Sequence, residues 1–147
     1  MTFLAPSIFT AVVPLVRNGP TEAFALQDAD CRDPENLQAL DAVAPGTLLA
    51  SINLGPALLL MTGHDVLSVP YHRSADALRI GFTGLSRSET GLRDLIRETG
   101  ADYLLVCEGS RYGDGYATGL AAGDAAPDWL EPVELDAGAL RLFAVRG

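Results

Sequence analysis

The sequence predicts an α/β fold: a three-layer-like sandwich with a mainly parallel sheet and an antiparallel C-terminal hairpin. Three observations predict it. Short apolar runs that suit buried strands alternate with segments of helical periodicity, which is typical of a parallel sheet with crossover helices. A glycine-containing turn separates the last two apolar runs, which indicates a hairpin. The length of 147 residues suits one domain with its own core.

The first predicted helix begins near Asp33, which is placed to cap it, with Pro34 at the first helical position. A Pro-Gly pair ends this helix at residue 46. Apolar residues recur between these signals at helical spacing, at Leu37, Leu40 and Val43.

Three further helical segments are predicted. Residues 57–61 and 74–80 suit short helices. A longer helix is expected after Ser88, a typical N-cap, and Gly100 suits the left-handed residue that often ends a helix.

Five strands are predicted in one sheet. Residues 47–52, 65–70 and 102–107 should be adjacent parallel strands, since each is a short apolar run. Residues 131–136 and 140–145 should pair antiparallel around the final turn.

A glycine-rich stretch from Gly113 to Gly119 superficially resembles a dinucleotide-binding loop. Its third glycine is one position late, and Asp114 would repel a pyrophosphate. We interpret the stretch as a flexible surface loop, within a glycine- and alanine-rich region at residues 109–126 that is expected to be partly loop with room for one helical turn.

The charge balance excludes several classes of function. Lysine and arginine together number 10 against 19 acidic residues, which gives a formal net charge of −9. Nucleic acids and anionic lipid head groups both require a basic face, so neither is an expected partner. All the basic residues are arginines, so no lysine is present for a Schiff base or a phosphate loop.

The apolar segment at residues 1–17 is distinct from the single domain predicted at residues 18–147. Its apolar run extends from Phe3 to Val16, which is shorter than the roughly 20 residues of a membrane-spanning helix. No basic residue precedes the run, unlike in a signal peptide. The segment is either the end of a transmembrane helix or an apolar arm packed on the domain.

Several short motifs occur together in the chain: Asn53-Leu-Gly-Pro56, His64-Asp-Val-Leu67, Pro70-Tyr-His-Arg73, Gly100-Ala-Asp-Tyr103 and Pro127-Asp-Trp-Leu-Glu-Pro132. As a set they resemble the C-terminal soluble region of multi-spanning bacterial membrane proteins related to glycosyltransferases that use lipid-linked sugars. The resemblance covers residues 31–146. Members of that group often continue the third motif with asparagine, where this chain has Ser74.

The catalytic acid of that group lies in the membrane-embedded part. The resemblance therefore implies an accessory domain at the bacterial inner membrane that faces the periplasm and is not an enzyme by itself. It implies the membrane-embedded part of the same protein as the partner, with a lipid-linked sugar or phosphate as a further ligand. It also implies that residues 1–17 are the end of the last membrane helix.

The chain has two cysteines, Cys31 and Cys107. In a reducing compartment both would be ordinary buried thiols, whereas in the periplasm they could pair. The location that the resemblance implies favours the disulfide, in which case the two Cα atoms should lie within about 7 Å.

Polar side chains follow the predicted parallel strands at the points where these strands end. Because ligands of open α/β sheets bind beyond the carboxyl ends of the strands, these side chains should share one edge. We name them the strand-end site, which comprises Asn53, Tyr71, His72, Arg73, Glu108 and Arg111.

Two interpretations of the strand-end site are open. Arg73 and Arg111 could bind a phosphate or carboxylate through their planar guanidinium groups, and His72 could titrate or hydrogen-bond near neutral pH. Alternatively, the same residues only brace the loops through internal hydrogen bonds.

Metal binding is not expected, because His64 and His72 flank a strand and would lie roughly 26 Å apart. No serine occurs in a Gly-x-Ser-x-Gly motif, and no cofactor is expected. Two functions other than the accessory domain remain open. One is a free-standing module that binds a small anion, and the other is a small enzyme that uses His72 with Glu108.

Overall fold

The computed structural model of the chain describes residues 29–67 and 75–147. It contains five α-helices in these residues: α1 (Pro34–Gln38), α2 (Gly55–Met61), α3 (Ala75–Thr83), α4 (Glu89–Thr99) and α5 (Tyr116–Ala122). The five strands are β1 (Thr47–Leu49), β2 (Asp65–Val66), β3 (Tyr103–Cys107), β4 (Leu130–Val133) and β5 (Leu140–Val145). Short 3-10 turns at Ala29–Arg32 and Ala39–Ala42 flank α1.

The described strands form one sheet in the order β2-β1-β3-β5-β4. β1 pairs in parallel with β2 and with β3, whereas β5 runs antiparallel to both β3 and β4. The α/β class is therefore confirmed, and the C-terminal hairpin forms. The sheet is evenly mixed rather than mainly parallel, because β5 inserts beside the central strand. Its ladder with β3 pairs five residues, from Tyr103 with Ala144 to Cys107 with Leu140.

Both faces of the sheet are covered by helices. Successive residues of a strand point to opposite faces, and β3 shows the result. Leu105 and Cys107 pack with residues of α1 and α2, whereas Leu104 and Val106 pack with residues of α3, α4 and α5. Two helical layers on one sheet give the three layers of the sandwich, and burial on both faces explains the continuous apolar run of β3.

Side-chain caps fix two of the helix starts. Asp33 Oδ1 accepts a hydrogen bond from the Glu35 amide at 3.0 Å, and Ser88 Oγ accepts one from the Gly91 amide at 3.2 Å. Gly100 ends α4 in the left-handed conformation, at φ 69°. The first helix is shorter than predicted, because α1 gives way to a 3-10 turn after Gln38.

The glycine-rich stretch after β3 is not the flexible surface loop that we expected. It contains α5, which begins after Gly115. A side chain at Gly115 would collide with the Leu85 carbonyl and the Ser86 backbone, so glycine is needed for this close contact. Packing of the small residues of α5 against the sheet outweighs the low helix propensity of glycine.

Cys31 and Cys107 form a disulfide, with their Cα atoms 6.0 Å apart. Both residues are buried. The bridge joins the 3-10 turn before α1 to the last residue of β3, so it connects one helical layer to the central strand.

Within residues 29–67 and 75–147, no helix has the length and apolar character needed to cross a membrane. The apolar segment at residues 1–17 lies outside the described residues.

Candidate functional site

The carboxyl ends of β1 and β3 lie at the same edge of the sheet, because these strands are adjacent and parallel. The chain leaves β1 for α2 on one face of the sheet and reaches β3 through α3 and α4 on the other face. Such a change of face between neighbouring parallel strands creates the crevice in which open α/β sheets bind ligands.

Half of the strand-end site can be placed in the structure. Asn53 is half-buried in the turn between β1 and α2, Glu108 directly follows β3, and Arg111 is exposed three residues later. All three thus follow the strands that border the crevice. The other members, Tyr71, His72 and Arg73, lie outside the described residues, so convergence of the whole site stays a prediction.

The surroundings of Glu108 and Arg111 are partly structural. Glu108 Oε1 lies 3.3 Å from Arg141 Nη2 on β5, an exposed pair that contributes about 0–1 kcal/mol. Next to Arg111, the buried Tyr112 hydroxyl accepts a hydrogen bond from the Cys107 amide at 2.9 Å. The Tyr112 amide donates to Thr118 Oγ1 at 2.8 Å. These bonds fix the backbone that carries Arg111.

His64 lies at the opposite edge of the sheet and has a structural role. Its Nε2 bonds the Leu40 carbonyl oxygen at 2.8 Å, and its Nδ1 lies 3.1 Å from the Gly46 amide nitrogen. A backbone amide can only donate, so Nδ1 accepts and the ring is the neutral tautomer protonated at Nε2. Both ring nitrogens are thus engaged. In the part of the chain that the structure describes, no three potential metal-binding side chains come together.

Two further side chains support the segment that enters β1. Asp102 Oδ2 accepts a hydrogen bond from the Thr47 amide at 2.9 Å, and the Tyr103 hydroxyl donates to the Ala44 carbonyl at 2.8 Å. The Tyr103 and His64 rings meet edge to face, with centroids 5.6 Å apart. We name His64, Asp102 and Tyr103 the amino-edge brace, since all three hold residues before β1 or at its first residue.

A groove of about 860 Å³ lies at this same amino edge, between α4 and the C-terminal hairpin. We name it the Arg groove. Its lining includes Glu89, Arg93, Ile96, Arg97, Trp129 and Arg146.

Two of the three acidic side chains that line the Arg groove, Glu89 and Asp102, hydrogen-bond neighbours within the fold, and the third is Asp128. Glu89 Oε1 accepts a hydrogen bond from the Trp129 indole at 3.2 Å. Asp102 belongs to the amino-edge brace. Burial and, to a lesser extent, the charges of Glu89 and Asp124 raise the pKa of the Tyr116 phenol above its usual value.

The arginines of the Arg groove are differently placed. Arg146 Nε lies 3.7 Å from Glu131 on the neighbouring strand. Arg93 and Arg97 are exposed on one face of α4, and no carboxylate in residues 29–67 or 75–147 lies within 4.0 Å of either guanidinium. They can therefore face a ligand without first breaking an ion pair.

The Arg groove was not predicted from the sequence. The rule for open sheets points to the carboxyl edge, whereas this groove forms where α4 and the hairpin meet at the other edge. One signal was available. Arg93 and Arg97 are one helical turn apart, and like charges at that spacing destabilise a helix by about 0.2–0.5 kcal/mol.

No protein-family model matches the sequence, and no curated protein matches it. Among solved structures, the chain is similar to the crystal structure of the C-terminal globular domain of an oligosaccharyltransferase from Archaeoglobus fulgidus. The identity is 11%, the TM-score is 0.47, and the match covers 76% of this chain and 92% of that one. A likeness of this size carries no argument about the function of the chain.

Proposed function

We propose that the chain is an accessory extramembrane domain of a membrane glycosyltransferase-like protein, facing the periplasm and without catalysis of its own. The observation that carries the proposal is an apolar tip on α2. Among the described residues, the large apolar side chains that remain exposed form one consecutive run, Leu59, Leu60 and Met61.

The apolar tip is suited to contact another apolar body. Leu60 is 83% exposed, and burying such a side chain contributes about 1.5–3 kcal/mol. Exposed apolar clusters on otherwise well-packed domains mark contact surfaces. The partner that we propose is the membrane-embedded part of the same protein, because a chain with net charge −9 is repelled by anionic head groups.

The motifs that carry the family resemblance also support an accessory role. The motifs in the described residues lie in turns and at strand entries, where they determine the path of the backbone and do not bring catalytic side chains together. Residues 53–56 form the turn from β1 into α2, and residues 64–67 contain β2 with one residue on each side. Residues 100–103 form the turn from α4 into β3, and residues 127–132 lead into β4.

A free-standing module that binds a small anion is the second candidate. The crevice between β1 and β3 favours it, since Asn53, Glu108 and Arg111 follow the strands that border this crevice. In this candidate, Arg73 and Arg111 bind the anion, and no membrane partner is needed.

Site-specific photo-crosslinking tests the first proposal. A photoreactive residue in place of Leu60, in protein made from its natural gene in cells, should link to a membrane-spanning segment of the same polypeptide. Mass spectrometry of the membrane fraction identifies the linked peptide. The matched control is position Glu98, which is exposed on α4 at the other face of the sheet.

The outcome separates the two candidates. A membrane-segment adduct from position 60 and none from position 98 supports the accessory domain. Protein that fractionates away from membranes and gives no adduct at position 60 contradicts it. The second candidate then requires that the same protein binds inorganic phosphate and loses this binding in the Arg73→Ala variant.

A further inference from the structure

Three of the ten arginines of the chain line the Arg groove, namely Arg93, Arg97 and Arg146. Three acidic residues, Glu89, Asp102 and Asp128, also line it. The formal charge of the lining side chains is therefore zero, in a protein whose charge is −9. An anion meets less repulsion here than over the rest of the surface.

The orientation of these charges makes the groove more favourable to an anion than the formal sum. Glu89 is bonded to the Trp129 indole and Asp102 to the amide of Thr47, so both carboxylates point to neighbours in the fold. Arg93 and Arg97 have no carboxylate within 4.0 Å among the described residues. Asp128 is the third carboxylate of the lining and is not bonded in this way within the described part of the chain, so two arginines without a nearby carboxylate stand against one such carboxylate, and the balance of the uncommitted charge is positive.

The spacing of the two arginines limits the ligand. Residues four apart on a helix place their Cβ atoms about 5–6 Å from each other, so two guanidinium groups can reach one phosphate or two linked phosphates. Each planar guanidinium presents a pair of donors that matches two phosphate oxygens. A single carboxylate would pair with only one of the two guanidinium groups.

The size of the groove is also suitable. Its volume of about 860 Å³ lies within the roughly 300–1,000 Å³ of small-molecule sites. The half-buried Val145 adds apolar surface beside the arginines, which would contact the organic part of a phosphate ester.

We propose that Arg93 and Arg97 form a binding site for a phosphate-bearing ligand in the Arg groove. The site is separate from the described members of the strand-end site, Asn53, Glu108 and Arg111, which lie at the opposite edge of the sheet. It does not depend on the accessory function proposed above, since it requires neither a membrane partner nor the apolar tip of α2.

Calorimetric titration with inorganic diphosphate at low ionic strength tests the site. Binding by the unaltered chain should weaken as salt is added, because the contacts are between exposed charges. The double variant Arg93→Gln, Arg97→Gln should bind at least about tenfold more weakly, since it removes several charge-assisted hydrogen bonds. Its thermal midpoint should not change, because both side chains are exposed.

The control is Arg79→Gln, which removes one of the same positive charges, against two in the double variant, from an exposed helical site outside the groove. It should leave diphosphate affinity unchanged. Absence of diphosphate binding by the unaltered chain, or an equal loss of affinity in the Arg79 variant, would overturn the proposal.

A second arm identifies the source of the phosphate. Vesicles of phosphatidylcholine with one-fifth phosphatidic acid are sedimented with the protein and compared with pure phosphatidylcholine. Co-sedimentation that requires both arginines assigns a lipid head group as the ligand. Diphosphate binding without co-sedimentation assigns a free phosphate ester.

Discussion

Single residues of this chain illustrate how a polar side chain can look like a catalytic group and yet be part of the framework. His64 belongs to one of the motifs behind the family resemblance, and it is only 4% exposed. Its two ring nitrogens bond backbone groups that belong to different segments, at Leu40 and Gly46. The ring therefore replaces backbone pairing that the chain cannot make where β1 begins.

Removal of the His64 ring should destabilise the domain. His64→Ala leaves the half-buried Gly46 amide without its acceptor and leaves the Leu40 carbonyl with only the Val43 amide, and a buried polar group that loses its partner costs about 1–3 kcal/mol. We expect a decrease of at least about 2 kcal/mol in the free energy of unfolding, measured in urea. Tyr103→Phe, which loses one exposed hydrogen bond, should cost about 0.5–1.5 kcal/mol.

Gly46→Ala provides a steric test of the same brace. An added methyl group would lie 2.8 Å from Asp102 Oδ2 and 2.9 Å from the Tyr103 ring, so the brace would have to move apart. If His64→Ala and Gly46→Ala both stay within 0.5 kcal/mol of the unaltered chain, on the order of surface substitutions, the brace is not structural.

For Arg73 we expect a loss of function without a loss of stability, the opposite of the expectation for His64. If Arg73 binds a phosphate in the strand-end site, Arg73→Ala should leave the thermal midpoint of the domain nearly unchanged and, under the proposed accessory function, lower the activity of the membrane protein that would contain the domain. A buried bracing arginine would instead leave a partner unsatisfied, at a cost of about 1–3 kcal/mol. Loss of stability without a specific loss of activity would reject Arg73 as a ligand-binding residue.

Among the elements, those with several agreeing local signals were the ones that the sequence predicted well. α4 has a serine cap, an apolar stripe and a terminal glycine, and the structure places it at Glu89–Thr99. β3 is a continuous apolar run because both of its faces are buried. Each of these signals depends on the element alone, so no knowledge of its neighbours was needed.

Elements that depend on distant partners were predicted less well. Helix α5 contains glycine and alanine, and its position is set by contacts with residues on β3 and α4 rather than by propensity. The insertion of β5 between β3 and β4 is also invisible in the hydrophobic pattern, because alternation indicates a hairpin but not its neighbour. The Arg groove was missed for the same reason, since α4 and the hairpin form it together.

For the molecule as a whole, the disulfide bears on the cellular compartment and on stability. A bridge between Cys31 and Cys107 persists in an oxidising compartment such as the periplasm and is rare in the cytosol. It closes a long loop, with a sequence separation of 76. In the chain-entropy model this contributes roughly 4–5 kcal/mol to stability.

The redox state of the cysteines can be measured directly. Protein made in the periplasm, unfolded without a reductant and titrated for thiols, should contain no free thiol. The same chain made in a reducing cytosol is the control and should contain two. Two free thiols in the periplasmic protein would contradict both the bridge and the proposed location.

The same bridge also determines how the domain would respond to a pulling force. Tension applied through the chain before Ala29 and at the C-terminal end of β5 passes from Cys31 directly to Cys107, so the residues between them are shielded from extension. At about 3.3–3.6 Å per residue, the segment between the two cysteines would be roughly 250 Å long when extended, and this length cannot be pulled out until the disulfide is reduced. In the part of the chain that the structure describes, extension beyond the bridge would therefore come mainly from the residues after Cys107, which contain α5 and the hairpin.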